Sequence, residues 1–383
     1  MAAHDAHSDE LNTDERAAFF DETGTRSDYL SVDVGDAQFL VKTEDKHIGR
    51  ALFIKKGRGD IKVLARCVLV LRALYGEGAV EGRTFLEVGA NIGTTTLSAI
   101  LFHPFARAVA IEPEPENFRT LRLNLVLNDV DDRTTAIQAA VSNTLGTLDL
   151  VVNRARSGRH WVAGPEFDPG RLDSDDGIAI AVPTVTLDSL VDTGVLTTDE
   201  VALLWADAEN HEGAILEGAS KLVKAGVPAV FEWDPAGLER RGDADTIHAI
   251  AGKHYTHFVD MRGSADPQAP RLQLHTIDAL RHYRHETADQ ESHFTEIMVL
   301  RLSTEQAAQA DDALRSAKER FGGEGPTSAA PNARARPAAS GAELLGRLRS
   351  VARTQRAAPR TKDREAIRAT MVKPPRGGGD TSP

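Results

Sequence analysis

The chain has 383 residues, 41% of them hydrophobic, which suits one large or two medium globular domains. Its formal net charge of -12 argues against nucleic-acid binding by the chain as a whole. The single cysteine, Cys67, excludes an intramolecular disulfide and a thiolate metal cluster, and its apolar neighbourhood reads as a buried structural thiol.

In chain order, residues 1–28 read as a polar, loosely ordered segment. The opening "MAAHDAHSDELNTDER" has no basic start followed by an apolar run, so no secretory signal is expected. No apolar run reaches the roughly 18 residues that a membrane span needs, so the expected location is the cytoplasm. Residues 29–83 should form a hairpin and a helix that pack on the core. "YLSVDVGDAQFLVKTE" alternates around a Gly-Asp turn, and the apolar spacing from Asp60 to Tyr75 is helical.

From residue 84 to 302 the pattern becomes strand, helix, strand. "TFLEVG", "AVAIEP", "TTAIQAAV", "VALLWAD" and "PAVFEW" are short apolar runs, several of which end in an acid. "TLDLVV" reads as an edge strand, and "THFVDM" and "FTEIMVLRL" as the last strands. "TTTLSAILF", "PENFRTLRLNLVLND" and "HEGAILEGASKLVKAG" are the intervening helices. This rhythm predicts an α/β fold with a mostly parallel sheet covered by helices on both faces. Residues 303–383 read as a disordered tail rich in Ala, Arg and Pro. Its last 50 residues hold twelve Lys or Arg against four acids, so it is a candidate contact for an acidic partner.

The stretch "FLEVGANIGTTT" carries the first chemistry. In open α/β sheets, ligands bind beyond the carboxyl ends of the strands. Gly89 permits a sharp turn there, and Gly93 opens a helix whose N-terminus favours an anionic group. The dinucleotide fingerprint G-x-G-x-x-G is a poor match, because Asn91 occupies the middle position and a threonine the third. Glu87 ahead of the glycines suits a ligand with a cationic amine and sulfonium and would repel a pyrophosphate. Glu112, at the end of the next strand, can accept from both hydroxyls of a ribose. These residues favour S-adenosyl-L-methionine as cofactor. A nicotinamide-dependent oxidoreductase and a non-catalytic binding module remain the alternatives.

Together with "AIEPEPENFRTLRLNLVLN", "AAVSNTLGTLDL", "TVTLDSL" and "LLWADAENHEGAILEGA", this stretch resembles the FkbM family of methyltransferases. The resemblance implies a class I, Rossmann-like fold: a seven-stranded, mostly parallel sheet with the last strand antiparallel. It also implies methyl transfer to oxygen, commonly on a sugar or secondary metabolite. Glu87, Gly89, Asn91, Gly93 and Glu112 would hold the cofactor, with Ala140 and Ser142 near its adenine. Asp207 and His211 are the candidates for acceptor positioning and proton removal. Glu209, Trp161 and Glu232 are candidate contacts for a small hydroxylated acceptor, and no metal ligand is assigned. The family's block after the fourth strand has glycine where this chain has Asn210. Asparagine tolerates the left-handed backbone that a glycine there would serve.

Overall fold

The computed structural model describes residues 11–153, 156–163, 177–263, 272–285 and 294–321. The expected loose order before residue 29 gives way, over Thr13–Thr23, to a helix, α1. Asn12 caps it and Glu15 bonds back to the Asn12 N–H, a reciprocal capping box. Buried Phe20 packs against Phe53 of the next helix. Residues 1–10 lie outside the described residues.

The hairpin forms from β1 (Tyr29–Val34) and β2 (Ala37–Lys42). Helix α2 (Ile48–Lys55), not expected from the apolar pattern, precedes α3 (Gly59–Tyr75). Cys67 on α3 is buried, and burial drives its thiol pKa well up. Two asparagines one helical turn apart fasten the hairpin to the core. They sit on and just past α5 (Pro115–Leu127), which follows β3 (Thr84–Val88), α4 (Thr94–Phe102) and β4 (Arg107–Ile111). Asn124 accepts from Leu40 N at 2.7 Å and donates to Leu40 O and Ile92 O. Asn128, just beyond α5, accepts from Gln38 N at 2.9 Å and donates to Gln38 O at 2.7 Å. The two amides thus pair with the edge of β2 as another strand would.

The chain continues through β5 (Thr134–Ile137), β6 (Ala140–Val141), β7 (Gly146–Val152), β8 (Trp161–Val162), β9 (Ile178–Val185) and α6 (Leu187–Asp192). Then come β10 (Val201–Ala206), α7 (Glu212–Glu217), α8 (Ser220–Ala225), β11 (Ala229–Trp233), α9 (Pro235–Arg241) and α10 (Asp243–His254). The last elements are β12 (His257–Asp260), β13 (Leu274–Thr276), β14 (Thr295–Leu300) and α11 (Thr304–Phe321). The main sheet has the order β13-β12-β14-β11-β10-β3-β4-β5. Its five strands from β11 to β5 are parallel, and β14 runs antiparallel between β11 and β12. That is the seven-stranded class I arrangement, with β13 added as a three-residue eighth strand on the edge.

The sheet is covered on both faces. Phe85, Leu203, Trp205, Val230 and Met298 point toward α3, α4, α5 and α11. Leu86, Leu204, Ala206, Phe231 and Val299 point toward α6, α7, α8 and α10.

Three further expectations need correcting. "TTAIQAAV" is two strands, because the chain leaves the main sheet after Ile137 and joins a second one. That four-stranded sheet, ordered β6-β9-β7-β8, also takes "TLDLVV". "HEGAILEGASKLVKAG" breaks into α7 and α8 at Gly218, whose carbonyl accepts from Asp188 N. The tail expected to be disordered from residue 303 begins instead with α11, which packs its buried Ala310 and Leu314 against the cluster holding α3. The arginine-rich remainder lies outside the described residues. No helix among them is long and apolar enough to cross a membrane.

Asn124→Ala should leave the Leu40 N–H and C=O unpaired and cost about 2–4 kcal/mol. Urea unfolding of the variant against the parent protein, at unchanged m-value, measures this.

Candidate active site

A cavity of about 1210 Å³ lies beyond the carboxyl ends of β3, β4, β10 and β11. Pockets for one small ligand rarely exceed roughly 1,000 Å³, so two molecules have room here. Its walls are the β3–α4 loop, the β10–α7 loop, the turn from α2 into α3, and residues 157–160.

On the glycine side, Gly89 has φ +80, and a Cβ there would overlap the Asp207 carbonyl oxygen. Asn91 has φ 50, and its side-chain oxygen accepts from the next N–H, that of Ile92, at 2.9 Å. Gly93 caps α4 at φ +90, packed against Leu121. Glu112 braces this loop: its two oxygens accept from Asn91 N at 2.8 Å and Glu114 N at 2.9 Å. Glu112 is 4% exposed, and burial raises its pKa to about 7. Glu87 is 2% exposed and accepts from the Thr96 hydroxyl. Burial is the largest cause that raises its pKa, to about 8, and the Thr96 bond opposes it. Glu87, Gly89, Asn91, Glu112 and Ala140 all line the cavity, and Thr94 and Thr95 bring the first turn of α4 to it. Gly93 and Ser142 are set back from its wall.

The second loop leaves β10. Asp207 is exposed on the cavity side but otherwise enclosed by protein. That enclosure, then the charges of Glu209 and Asp60, push its pKa well above the usual range. Glu209 and Asn210 take left-handed backbone angles, φ 51 and 70, so position 210 does make the turn that a glycine would serve. His211 lines the cavity, and its Nε2 lies 3.1 Å from the Ser142 hydroxyl. Ser142 thus meets the site through His211. Glu212 is wholly buried. One oxygen accepts from Ala208 N at 2.9 Å, the other has no partner, and burial raises its pKa to about 7.

Strand alternation explains which acids meet. On β3, β10, β11 and β14, the residues Glu87, Asp207, Glu232 and Glu296 continue the face that carries Phe85, Trp205, Val230 and Met298. They form a row across four adjacent strand ends, and all four line the cavity. Burial and then Asp207 push the Glu232 pKa well up. Arg262 holds Glu296 through two bonds of 2.7 and 2.8 Å, and Arg58 pairs with Asp60 beside the row. Sequence reasoning missed Asp60, Arg262 and Glu296; for Glu296, the alternation in "TEIMVL" was the available signal. Trp161 does not line the cavity: it pairs with Val151 in the second sheet, and its neighbours Arg159, His160 and Val162 face inward instead.

Two substitutions test the loop geometry. Gly89→Ala must displace the Asp207 carbonyl and should cost more than about 3 kcal/mol in chemical denaturation. Asn210→Gly should be neutral or slightly stabilising, while Asn210→Ala should cost about 1 kcal/mol, because alanine pays for the left-handed angle. Equal stability of the two position-210 variants would refute the backbone argument.

The family model described as the methyltransferase FkbM domain matches residues 87–299. A relative, methyltransferase sdnD of Sordaria araneosa, is 28% identical over 185 residues, which cover 42% of this chain and 70% of that protein. Among solved structures, an O-methyltransferase from Bacillus cereus in complex with SAH is 13% identical, with a TM-score of 0.34 over 64% of this chain and 82% of that one. TYW2 of M. jannaschii in complex with AdoMet is 10% identical, with a TM-score of 0.33 over 72% and 88% of the two chains. The family match spans more than half of the chain and takes in both cavity loops, so this protein belongs to the FkbM methyltransferase family.

Proposed function

We propose that the protein uses S-adenosyl-L-methionine to methylate a hydroxyl on a small acceptor, a sugar or secondary metabolite. The observation that carries this reading is Glu112. Its carboxylate stands at the tip of β4 with each oxygen fixed by one backbone N–H. Each oxygen keeps a lone pair for one hydroxyl of a ribose diol. Glu87 offers a carboxylate to the cofactor's ammonium, and the N-terminus of α4 offers N–H groups to its carboxylate.

When bound, the cofactor supplies an electrophilic methyl group. The protein's task is to align an acceptor oxygen with it, and alignment of this kind supplies much of such a rate. Asp207 projects into the cavity next to the glycine loop, where it can orient an acceptor hydroxyl and take its proton. His211 faces the same space and is the second proton acceptor. Glu209 and Glu232 add hydrogen-bond acceptors for further hydroxyls. Trp161 would reach an acceptor only through rearrangement of its strand.

Calorimetric titration with S-adenosylhomocysteine, with NADH as control, tests the cofactor assignment. Micromolar binding of the first alone is expected, and binding of NADH alone would refute it. Glu112→Ala should weaken that binding by about 1–3 kcal/mol. Turnover of hydroxylated acceptors then tests the reaction.

Cofactor binding should also be linked to protons. The buried Glu87 carboxyl is raised to about 8, so near pH 7 the free protein holds it mostly protonated. A cationic ligand favours the ionised form, so binding releases a proton, and affinity rises with pH until about 8. Glu87→Gln should lose this slope, and the difference between the two proteins cancels the ligand's own titration. The same group makes folding less favourable as pH rises from about 4.5 to 8, because the folded chain keeps a proton that the unfolded chain has lost.

A further inference from the structure

The charges that line the cavity divide by wall. Acids stand at the strand ends and on the loops after β3 and β10. Apart from Arg262, which Glu296 holds, every described Lys and Arg in the lining stands on the other two walls. These are Lys55 and Lys56 around the end of α2, Arg58 and Lys62 around the start of α3, and Arg159 in the segment 156–160. Asp60 is the one described acid that lines these two walls, and Arg58 pairs with it. In a chain whose net charge is -12, such a grouping of cations calls for a reason.

The two cationic segments are far apart in the chain, and Asp45 ties them together. It accepts from Gly49 N at 2.6 Å, at the start of α2, and from the Ser157 hydroxyl at 2.6 Å. Asp45 is 3% exposed, so its carboxylate is engaged by these bonds and is not presented to the cavity. Gly158 lies directly against α2: a Cβ there would come within 2.7 Å of Ile48 Cδ1. His47 stands where the segments meet. Burial lowers its pKa first, and Arg58, then Arg159 and Arg156, lower it further against the opposing charge of Asp45. Guanidinium groups from both segments therefore act on one neutral ring.

Like charges gathered in this way repel one another. Lys55, Lys62 and Arg159 are exposed, and none has a side-chain hydrogen bond or ion pair with a described residue. Lys56 takes left-handed backbone angles, φ 48 and ψ 41, at a helix end that favours glycine or asparagine, although Gly57 is the next residue. Three uncommitted cations exceed what one carboxylate would balance, and their spread over two walls fits an extended anion with several oxygens. Arg159 would meet it as a planar fork, and the lysines as mobile point charges.

We propose that these two walls bind a diphosphate, and that the acceptor is a hydroxylated molecule esterified to one, held there while its hydroxyl reaches Asp207. The acceptor role rests on the methyl-transfer reading above; the anion site does not. The acids at the strand ends repel an anion, so the division of charge orients the acceptor as well as holding it.

Calorimetric titration with sodium pyrophosphate and with sodium phosphate, at low ionic strength, tests the site. Pyrophosphate should bind the parent protein roughly tenfold more tightly than phosphate. Lys55→Glu combined with Arg159→Glu should weaken pyrophosphate binding at least roughly tenfold, and the milder Lys55→Gln with Arg159→Gln about threefold. Thermal melts verify that both variants fold. Arg107→Glu with Arg122→Glu makes the same change in net charge at exposed positions outside the cavity lining, and should alter binding by less than about twofold. Equal losses in the two Glu variants would reduce the effect to net charge and overturn the site. Equal affinity for phosphate and pyrophosphate, or no binding of pyrophosphate, would overturn it too. UDP and farnesyl diphosphate separate a nucleoside source from a lipid-linked one. Displacement of pyrophosphate by either supports the acceptor role and names its class; displacement by neither overturns that role. S-adenosylhomocysteine should bind the Lys55 and Arg159 variants as it binds the parent, and its loss would assign these cations to the cofactor and overturn the proposal. If the parent binds pyrophosphate but no S-adenosylhomocysteine, the methyl-transfer reading falls and the anion site stands.

Discussion

The site depends on one close approach. β3 and β10 are neighbours in the sheet, and the Asp207 N–H donates to Val88 O at 3.1 Å just as both strands end. The next residue on β3 is Gly89, whose missing side chain lets the backbone lie against the Asp207 carbonyl. The two loops that leave these strands therefore start in contact and diverge around a single cavity. Any side chain at position 89 would separate them at their origin. The glycine-loop wall and the Asp207 wall of the cavity are adjacent because of this one packing constraint.

Both loops then take backbone angles that side chains disfavour, and each is braced by a buried acid. Asn91 is held by Glu112, and the Asp207–His211 turn is held by Glu212 through Ala208 N. These carboxyls give up hydration, which is why their pKa values move up toward neutrality. Bonds from backbone N–H groups offset part of that cost and fix the oxygens in place. The row of acids from Glu87 to Glu296 extends the same logic across four strands. It concentrates proton-holding groups where a cationic ligand would displace the protons, while Arg262 pairs with Glu296 at the row's far end and Arg58 with Asp60 beside the row. Electrostatic design and loop geometry are in this sense one problem, because the groups that shape the loops are also those that set the charge.

Much of this was legible in the chain. The core strands announce themselves as short apolar runs, since both faces of a parallel sheet are buried. "FLEVGANIGTTT" shows its turn through glycines, and Glu112 shows itself as an acid that ends such a run. Asn210 is readable as a left-handed position because few other residues accept one. Elements that depend on a partner surface were not legible. Helix α1 has an ordinary cap but little apolar patterning, and it is held by Phe20 against α2. Helix α11 is predominantly polar and folds where α3 offers a groove. The second sheet draws strands from distant segments, and a two-residue strand such as β6 has no pattern of its own.

The sequence by itself determined the fold class, the glycine loop and the acids that end the strands, because strand burial and turn chemistry are local and leave a mark residue by residue. Tertiary structure alone decided which acids share a face, that Ser142 meets the site through His211, and that Trp161 turns away from the cavity. It also decided that Asp45, in a loop more than 100 residues earlier in the chain, holds Ser157 beside Asn91. Hydrogen bonds between loops depend on where the sheet brings its ends together, and no spacing along the chain encodes that distance.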